Sequence, residues 1–184
     1  MVKDKIILGI DPGTNVLGYG LIHIKGQKIE LINFGVLQMQ KLESHPDKLK
    51  HIYDRIVAII EQYHPDEMAL EAPFFGKNVQ SMLKLGRAQG VAIAAGLSKS
   101  IPFEEYTPKR VKQAITGSGN ASKEQVAAML QQILNFSELP KYLDATDGLA
   151  VAVCHHFSKG VGEHNKAKGS SWDSFLRENP DRLK

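Results

Sequence analysis

The chain has 184 residues, of which 42% are hydrophobic and 23% charged. This size suits one ordinary α/β domain with a substantial core and leaves little for a second domain. The apolar run after the N-terminus ends at Asp11 and is too short for a signal peptide or a membrane span. Cys154 is the only cysteine, which excludes an intramolecular disulfide and a cysteine-rich metal site. We therefore expect a soluble, cytoplasmic protein in a reducing compartment.

The net charge of +3 is unevenly distributed along the chain. Between Phe74 and Lys123 there are eight basic and two acidic residues, a local balance of +6, so the remainder sums to −3. A basic middle with acidic ends is typical of a phosphate-binding surface beside a carboxylate metal site. Solvated helix faces have the same charge pattern, and charge alone favours that simpler interpretation.

Three strands are predicted in the first part of the chain. The apolar run 5–10 ends at Asp11 before a Pro-Gly turn, which indicates a buried strand with Asp11 at its end. Residues 16–24 and 28–37 are two further strand candidates, separated by a Gly-Gln turn. Together they predict an antiparallel three-stranded meander.

A crossover helix and a fourth strand are predicted next. Residues 46–63 have apolar side chains at helical spacing, with one proline in the first turn and another beyond the end. Residues 68–70 form a short apolar strand that ends at Glu71. A strand, a helix and a strand in this order predict parallel pairing through a right-handed crossover. Asp11 and Glu71 are then expected close together at one edge of the sheet.

The next helix, from Asn78 as its cap to about residue 98, is rich in small residues. Gly86, Gly90 and Ala94 form one stripe along it, and small residues let another backbone approach closely. Tight packing on the chain's own sheet explains this stripe, and so does contact between the helices of two subunits. The sequence leaves these two interpretations about even.

A fifth strand and three helices are predicted in the C-terminal half. The signals are a strand at 102–106, a helix start at Thr107-Pro108, a capping box at 122–125 and a final helix from about Asp144. Gly117 and Gly119 lie in a loop whose exposed amides are able to approach a phosphate. The fold class is therefore α/β, with a five-stranded mixed sheet of an antiparallel meander plus two parallel strands, flanked by helices.

The composition after Ser158 shifts to Gly, Lys, His and Ser, which is typical of a linker. We therefore assign residues 1–158 to one domain and 159–184 to a linker and C-terminal tail. In that tail, Trp172, Phe175 and Leu176 have the spacing of one apolar helix face, which docks either on the core or on a partner.

Four carboxylates are the candidate metal ligands. Asp11 and Glu71 each end a buried strand, and Asp144 and Asp147 are three apart in the first turn of the last helix. Each alone fits an ordinary turn or helix-capping role. Jointly they favour a cluster that needs a divalent cation, with Mg²⁺ the usual choice where phosphate is the substrate. Two such ions clamp the attacking and leaving oxygens of a phosphodiester displacement.

The pattern resembles the RuvC family of Holliday junction resolvases, the crossover junction endodeoxyribonucleases of bacteria. The matching stretches are Ile7 to Thr14 with Gly18-Tyr19-Gly20, Leu70-Glu71 with Phe74 and Lys77-Asn78, Val111-Lys112-Gln113, and Asp144 to Ala152. The resemblance spans residues 5 to about 157. It implies an RNase H-like nuclease domain and a symmetric homodimer that nicks opposing strands of a four-way DNA junction, leaving 5′-phosphate and 3′-hydroxyl ends, in homologous recombination and DNA repair.

The resemblance also implies roles for single residues. The four carboxylates would bind two Mg²⁺ per active site, with Mn²⁺ as an alternative ion. Lys112 and Lys123 match basic positions near the scissile phosphate. Phe74 matches an aromatic that stacks at the junction crossover, although Phe75 beside it leaves open which ring faces DNA. A branch-migration motor complex of the RuvA and RuvB type is implied by the family alone. The further expected DNA contacts are Lys77, Asn78, Lys84, Arg87, Lys109, Arg110, Gly117 and Gly119.

Two other functions fit part of the pattern. An ATP-dependent phosphotransferase of the actin and sugar-kinase class has a similar first phosphate loop, but those proteins duplicate the domain and this chain has a single copy. A catalytically idle junction-binding module would keep the fold and the basic surface. All four acidic positions are filled here, which argues against that module.

Overall fold

The computed structural model describes residues 4–73, 78–136 and 143–165, with side chains up to residue 159. Its elements are β1 (Lys5–Asp11), β2 (Val16–Lys25), β3 (Lys28–Gln38), α1 (His45–Tyr63), β4 (Glu67–Glu71), α2 (Val79–Ser98), β5 (Phe103–Tyr106), α3 (Pro108–Thr116), α4 (Lys123–Leu134) and α5 (Asp144–Asn165). The strand order is β3-β2-β1-β4-β5. The first three strands are antiparallel and β1, β4 and β5 are parallel, which confirms the predicted mixed sheet.

The helices begin where the sequence places capping side chains. Ser44, Asn78 and Thr107 each accept a hydrogen bond from a backbone N–H in the first turn of their helix. Ser122 and Gln125 form the predicted capping box at the start of α4. These local interactions fix where each helix meets the edge of the sheet that carries Asp11.

The sheet is covered by helices on both faces. One buried cluster joins the sheet to α1 and α2 and includes Ile10, Ile56 and Ala92. The other joins it to α3, α4 and α5 and includes Ile7, Val111 and Leu149. Among the described helices, none has the length and hydropathy that a membrane span requires.

The last helix packs on β1 and β2 with almost no side chain between the backbones. A Cβ at Gly18 would lie 1.9 Å from the carbonyl oxygen of Asp144, and one at Gly20 would lie 2.4 Å from Cα of Leu149. A Cβ at Gly148 would lie 2.6 Å from the backbone N and Cα of Tyr19. Glycine is therefore required on both sides of this contact, which brings the start of α5 against the end of β1.

Several strand and helix boundaries differ by one residue from the sequence-based expectation, and the end of α5 differs by more. The α5 helix continues to Asn165, so the linker that we expected directly after Ser158 does not begin there. Lysine, glycine and histidine are compatible with a helix that has already been started, and composition alone does not show where it ends. The fifth strand starts at Phe103, one residue later than expected. The tail residues Trp172, Phe175 and Leu176 lie outside the described residues.

The small residues of α2 divide between two faces of the helix. Ala88, Ala92 and Ala95 are fully buried against the chain's own sheet. Gly86 and Gly90 are exposed, and nothing lies within 4 Å of where their Cβ atoms would be. Packing on the chain's own sheet thus accounts for the alanines and leaves the glycine stripe facing outward.

Candidate active site

Asp11 and Glu71 meet at the carboxyl ends of β1 and β4. These strands pair in parallel with Ile10 opposite Leu70, and each carboxylate residue is the last of its strand. Both side chains line the same two clefts at this edge of the sheet. The structure therefore brings together the two residues that the strand pattern was expected to bring together.

These two carboxyl groups are largely removed from water. Burial, together with the nearby carboxylates of Glu71, Asp147 and Asp144, raises the pKa of Asp11 to about 8 against the opposing effect of Lys123. Burial and the carboxylate of Asp147 raise the pKa of Glu71 to about 7, against the opposing effects of Lys123 and Lys112. Charged forms of both groups are therefore costly unless a cation lies close by.

The helix-borne pair is held by Lys123. Its Nζ donates to Asp147 Oδ2 at 2.5 Å and lies 3.4 Å from Asp144 Oδ1. Burial alone lowers the pKa of Lys123, but the hydrogen bonds and negative charges of the two aspartates raise it above its ordinary value. The two aspartates face the same direction, as their i, i+3 spacing predicts.

The clefts bring the acidic and basic residues together. One cleft is lined by Asp11, Glu71, Lys112, Lys123 and Asp147. In the described part of the chain, no three His, Cys, Asp or Glu side chains converge into a ready-made metal site. The donor set nevertheless fits a hard cation, because it consists of carboxylate oxygens and the pKa values of Asp11 and Glu71 are raised, first by burial and then by neighbouring carboxylates.

Gln89 is a site residue that the sequence reasoning missed. Its side chain is 6% exposed and lines the cleft beside Asp11 and Glu71. Its Nε2 donates to Glu105 Oε1 at 2.5 Å and to the backbone carbonyl of Glu71 at 3.4 Å. Gln89 thus ties α2 to the strand ends that carry the carboxylates. A lone glutamine within a helix gives no sequence signal for this contact.

The predicted DNA contacts have mixed structural settings. Lys84 lines a polar cleft, and the Asn78 side chain caps α2. The Arg110 guanidinium donates to the Ser158 hydroxyl on α5 at 3.2 Å, so part of its hydrogen-bonding capacity is used within the protein. Phe74, Phe75 and Lys77 lie outside the described residues. Arg87 and Lys109 are exposed, and Lys112 lines the cleft that contains Asp11 and Glu71.

The glycine loop offers fewer amides than expected. Gly117 closes α3 with φ of 78° and donates its N–H to Gln113. The amides of Ser118 and Asn120 also donate within the loop. Our expectation of an amide cradle for phosphate was therefore wrong for Gly117, because the helix cap takes up its N–H. Gly119 lies against the Lys109 side chain.

His155 has a packing role. It is buried, with Nδ1 2.9 Å from the Tyr106 hydroxyl and Nε2 2.8 Å from Glu67 Oε2. Burial alone raises the pKa of Glu67, but hydrogen bonds from Lys159, Lys5 and His155 outweigh it and hold that pKa at about 2. This network joins α5 to β4 and β5.

Comparison with known proteins identifies the family. The model of the family described as crossover junction endodeoxyribonuclease RuvC matches residues 7–155. The protein of that name from Cytophaga hutchinsonii is 65% identical over 98% of this chain and 89% of its own length. The protein of that name from Bacteroides fragilis is 56% identical over 100% of this chain and 98% of its own length.

Solved structures agree with this result. The Thermus thermophilus RuvC in complex with Holliday junction substrate superposes with a TM-score of 0.80 at 33% identity, covering 86% of this chain and 96% of that one. The yeast mitochondrial Holliday junction resolvase Ydc2 has a TM-score of 0.66 at 17% identity, covering 86% of this chain and 80% of its own, which shows the shared fold alone.

Sheet order, carboxylate placement and comparisons together define a nuclease with an RNase H-like fold. The chain belongs to the family of crossover junction endodeoxyribonucleases RuvC, whose members are metal-dependent nucleases.

The buried carboxylates predict how stability depends on pH when metal is removed. The pKa of Asp11 is about 8 in the fold and 3.8 ordinarily, so the folded chain retains a proton that the unfolded chain loses. The stability of the metal-free protein should therefore fall as pH rises from about 4 to about 8 and then level off. In EDTA, Asp11→Asn should remove most of this fall and raise the melting temperature by about 5 °C at pH 8.

Thermal melts of both proteins between pH 4 and pH 9 check this expectation. Mg²⁺ at pH 8 should stabilise the wild type more than Asp11→Asn. Parallel pH profiles of the two proteins in EDTA would contradict the account of Asp11.

Proposed function

We propose that this chain resolves four-way Holliday junctions by symmetric, metal-dependent hydrolysis of two phosphodiester bonds, in homologous recombination and DNA repair. The observation that carries the proposal is the pair of buried carboxylates, Asp11 and Glu71, at adjacent strand ends beside the Asp144 and Asp147 pair. The family and the junction complex of the Thermus relative support the substrate.

The four carboxylates are the proposed metal ligands, with two Mg²⁺ ions per site and Mn²⁺ as an alternative. When bound, such ions supply an activated water and stabilise the charge that develops on the leaving oxygen. Asp11 and Glu71 would provide negative charge to a bound cation, which would displace the protons that their raised pKa values favour. Asp144 and Asp147 need to be released by Lys123 before they complete the donor set.

Lys112 and Lys123 are the proposed phosphate-facing cations. Both line the cleft that contains Asp11 and Glu71. With Asp147 in the metal donor set, the Lys123 ammonium would be free to donate to a phosphate oxygen. Positive charge directed at the reacting phosphate stabilises the transition state more than the bound substrate.

The proposed DNA surface extends from this cleft. Phe74 or Phe75 is assigned to stacking at the crossover, on the family resemblance. Lys77, Asn78, Lys84, Arg87, Lys109, Arg110 and Gly119 are assigned to the strands around it. Gly117 shapes the loop through its left-handed conformation. The rival phosphotransferase and the idle binding module lack this support, because the first needs a second domain copy and the second needs no carboxylate cluster.

We further propose a symmetric homodimer that uses the outer face of α2. Val79, Leu83 and Leu97 on this helix are 67%, 53% and 54% exposed, and they follow the same helical stripe as Gly86 and Gly90. An exposed apolar stripe with glycines in its middle suits close packing against a second copy of the same helix. Two active sites related by a twofold axis also match a twofold substrate.

A partner, a location and the domain bounds are also proposed. The RuvA and RuvB type motor complex is proposed as the partner from family resemblance. A cytoplasmic location is proposed from the single cysteine, which is buried. The nuclease domain, expected at residues 1–158, is proposed to continue to the end of α5 at Asn165. The tail beyond it is proposed to dock either on the core or on a partner.

Cleavage of a synthetic four-way junction tests the function. With Mg²⁺, the wild type should make paired nicks at symmetric positions that carry 5′-phosphate ends. Asp11→Asn should slow cleavage by about a thousandfold or more while junction binding persists, because the variant keeps the basic surface. Single-turnover cleavage on sequencing gels and a gel-shift assay measure the two effects.

Asp54→Asn is the matched control, since Asp54 is an exposed carboxylate on α1 that pairs with Lys50. It should cut like the wild type, and linear duplex should remain uncut by all three proteins. Binding without cutting by the wild type would favour the idle module. A wild type that neither binds nor cuts the junction would contradict the proposed function altogether.

The dimer proposal predicts that a charged residue in the exposed apolar stripe of α2 yields a monomer. Leu83→Glu places a carboxylate at the centre of the proposed contact, which should raise the dimer dissociation constant by about a hundredfold or more. Sedimentation velocity over a concentration series measures this. Ala128→Glu adds the same charge to an exposed position of α4 on the other side of the sheet and should leave the dimer intact. An unchanged dimer in Leu83→Glu would refute the α2 interface.

A further inference from the structure

A second polar cleft opens beside the carboxylate site. It lies between the β1–β2 turn, the start of α1 and the first turns of α2, and we call it the α1–α2 cleft. Its lining includes Thr14, Asn15, His45, Lys48, Ser81 and Lys84. Except for Lys84, these residues have no role in the proposed cutting reaction.

The α1–α2 cleft continues the carboxylate site along the same two elements. Asp11 and Pro12 line the carboxylate site. Thr14 and Asn15, which follow in the same β1–β2 turn, line the α1–α2 cleft. Along α2, Leu85 and Gln89 line the first and Ser81 and Lys84 the second. A DNA strand that runs from the carboxylates towards α1 therefore enters the α1–α2 cleft.

The charge of this cleft is predominantly positive. Lys48 and Lys84 line it and Glu43 is the acidic residue in its lining. Lys48 Nζ donates to Asn15 Oδ1 at 2.8 Å, which holds the ammonium over the β1–β2 turn. An ammonium has three N–H donors, so this bond leaves capacity for a ligand. The two lysines disfavour a metal cation here and favour an anion.

His45 adds a polar atom that lacks a partner. Its Nε2 is buried and makes no hydrogen bond within the described part of the chain. Burial lowers the pKa of His45, and the positive charges of Arg87, Lys84 and Lys48 lower it further. The neutral ring is able to donate from Nε2 when the proton is on that nitrogen. Buried polar atoms without a partner are rare, and His45 lines the α1–α2 cleft, so a change in the orientation of its ring would let Nε2 donate to an anion bound there.

We propose that the α1–α2 cleft binds a backbone phosphate of the DNA strand, on the opposite side of the carboxylates from Lys112 and Lys123. Lys48 and Lys84 supply the charge, and His45 and Ser81 supply neutral donors. The sheet edge is then flanked by positive charge from both helical layers, since Lys112 and Lys123 belong to the α3–α5 side. This inference rests on the proposed junction cleavage and adds a non-reacting phosphate position to it.

Salt dependence of junction binding tests the inference. Each lost phosphate contact reduces the slope of log K against log salt concentration by about 0.9. Lys48→Ala should therefore lower the slope by about that amount and weaken junction binding about tenfold at moderate salt. The single-turnover cleavage rate at saturating protein should stay within about twofold of the wild type, because the lining of the α1–α2 cleft includes none of the four proposed metal ligands.

Two further variants make the result specific. Lys28→Ala removes the same charge from the β2–β3 turn at the opposite edge of the sheet, and its slope should match the wild type. Lys48→Arg keeps the charge, and it should restore the wild-type slope if phosphate contact is the cause. A melting temperature for each variant separates loss of contact from loss of fold.

The outcomes separate this inference from the proposed function. If the wild type cuts junctions and Lys48→Ala binds them with an unchanged salt slope, the phosphate position is overturned and the nuclease assignment stands. If Lys28→Ala lowers the slope as much as Lys48→Ala, the effect is general charge loss and the inference also fails. A wild type that neither binds nor cuts junctions overturns the proposed function itself.

Discussion

The close packing of α5 on β1 and β2 is the constraint on which the candidate site depends. Gly18 and Gly20 on the sheet and Gly148 on the helix remove the side chains that would keep these backbones apart. The start of α5 consequently reaches the end of β1, where Asp11 lies. Side chains of ordinary size at these positions would push the helix outward and separate its aspartates from the strand-end carboxylates.

This geometry produces a site with more negative charge than the fold alone stabilises. Burial and neighbouring carboxylates raise the pKa values of Asp11 and Glu71, while the hydrogen bonds of Lys123 go to the pair on α5. Such stored electrostatic cost is common at functional sites, because a cation or substrate relieves it on binding. Lysine side chains on both helical layers are then placed to bind a DNA strand that crosses the same sheet edge.

Much of this arrangement follows from local sequence signals. Strand periodicity places Asp11 and Glu71 at strand ends, and the crossover helix makes those strands parallel neighbours. Helix starts follow from capping residues such as Ser122. Contacts between distant residues do not follow in this way: the Gln89 bonds and the α1–α2 cleft depend on how helices pack, for which single residues give no signal. The end of α5 was missed because composition does not mark a helix end without a glycine cap or proline.

The central claim is that Asp11, Glu71, Asp144 and Asp147 form one metal site, and crystals soaked in Mn²⁺ test it most directly. Anomalous difference maps should show manganese bound between the strand-end carboxylates and the α5 aspartates, with the Lys123 ammonium displaced from Asp147. The same soak of Asp11→Asn crystals should lose most of that signal. Manganese bound elsewhere, or equal peaks in wild type and variant, would contradict the account.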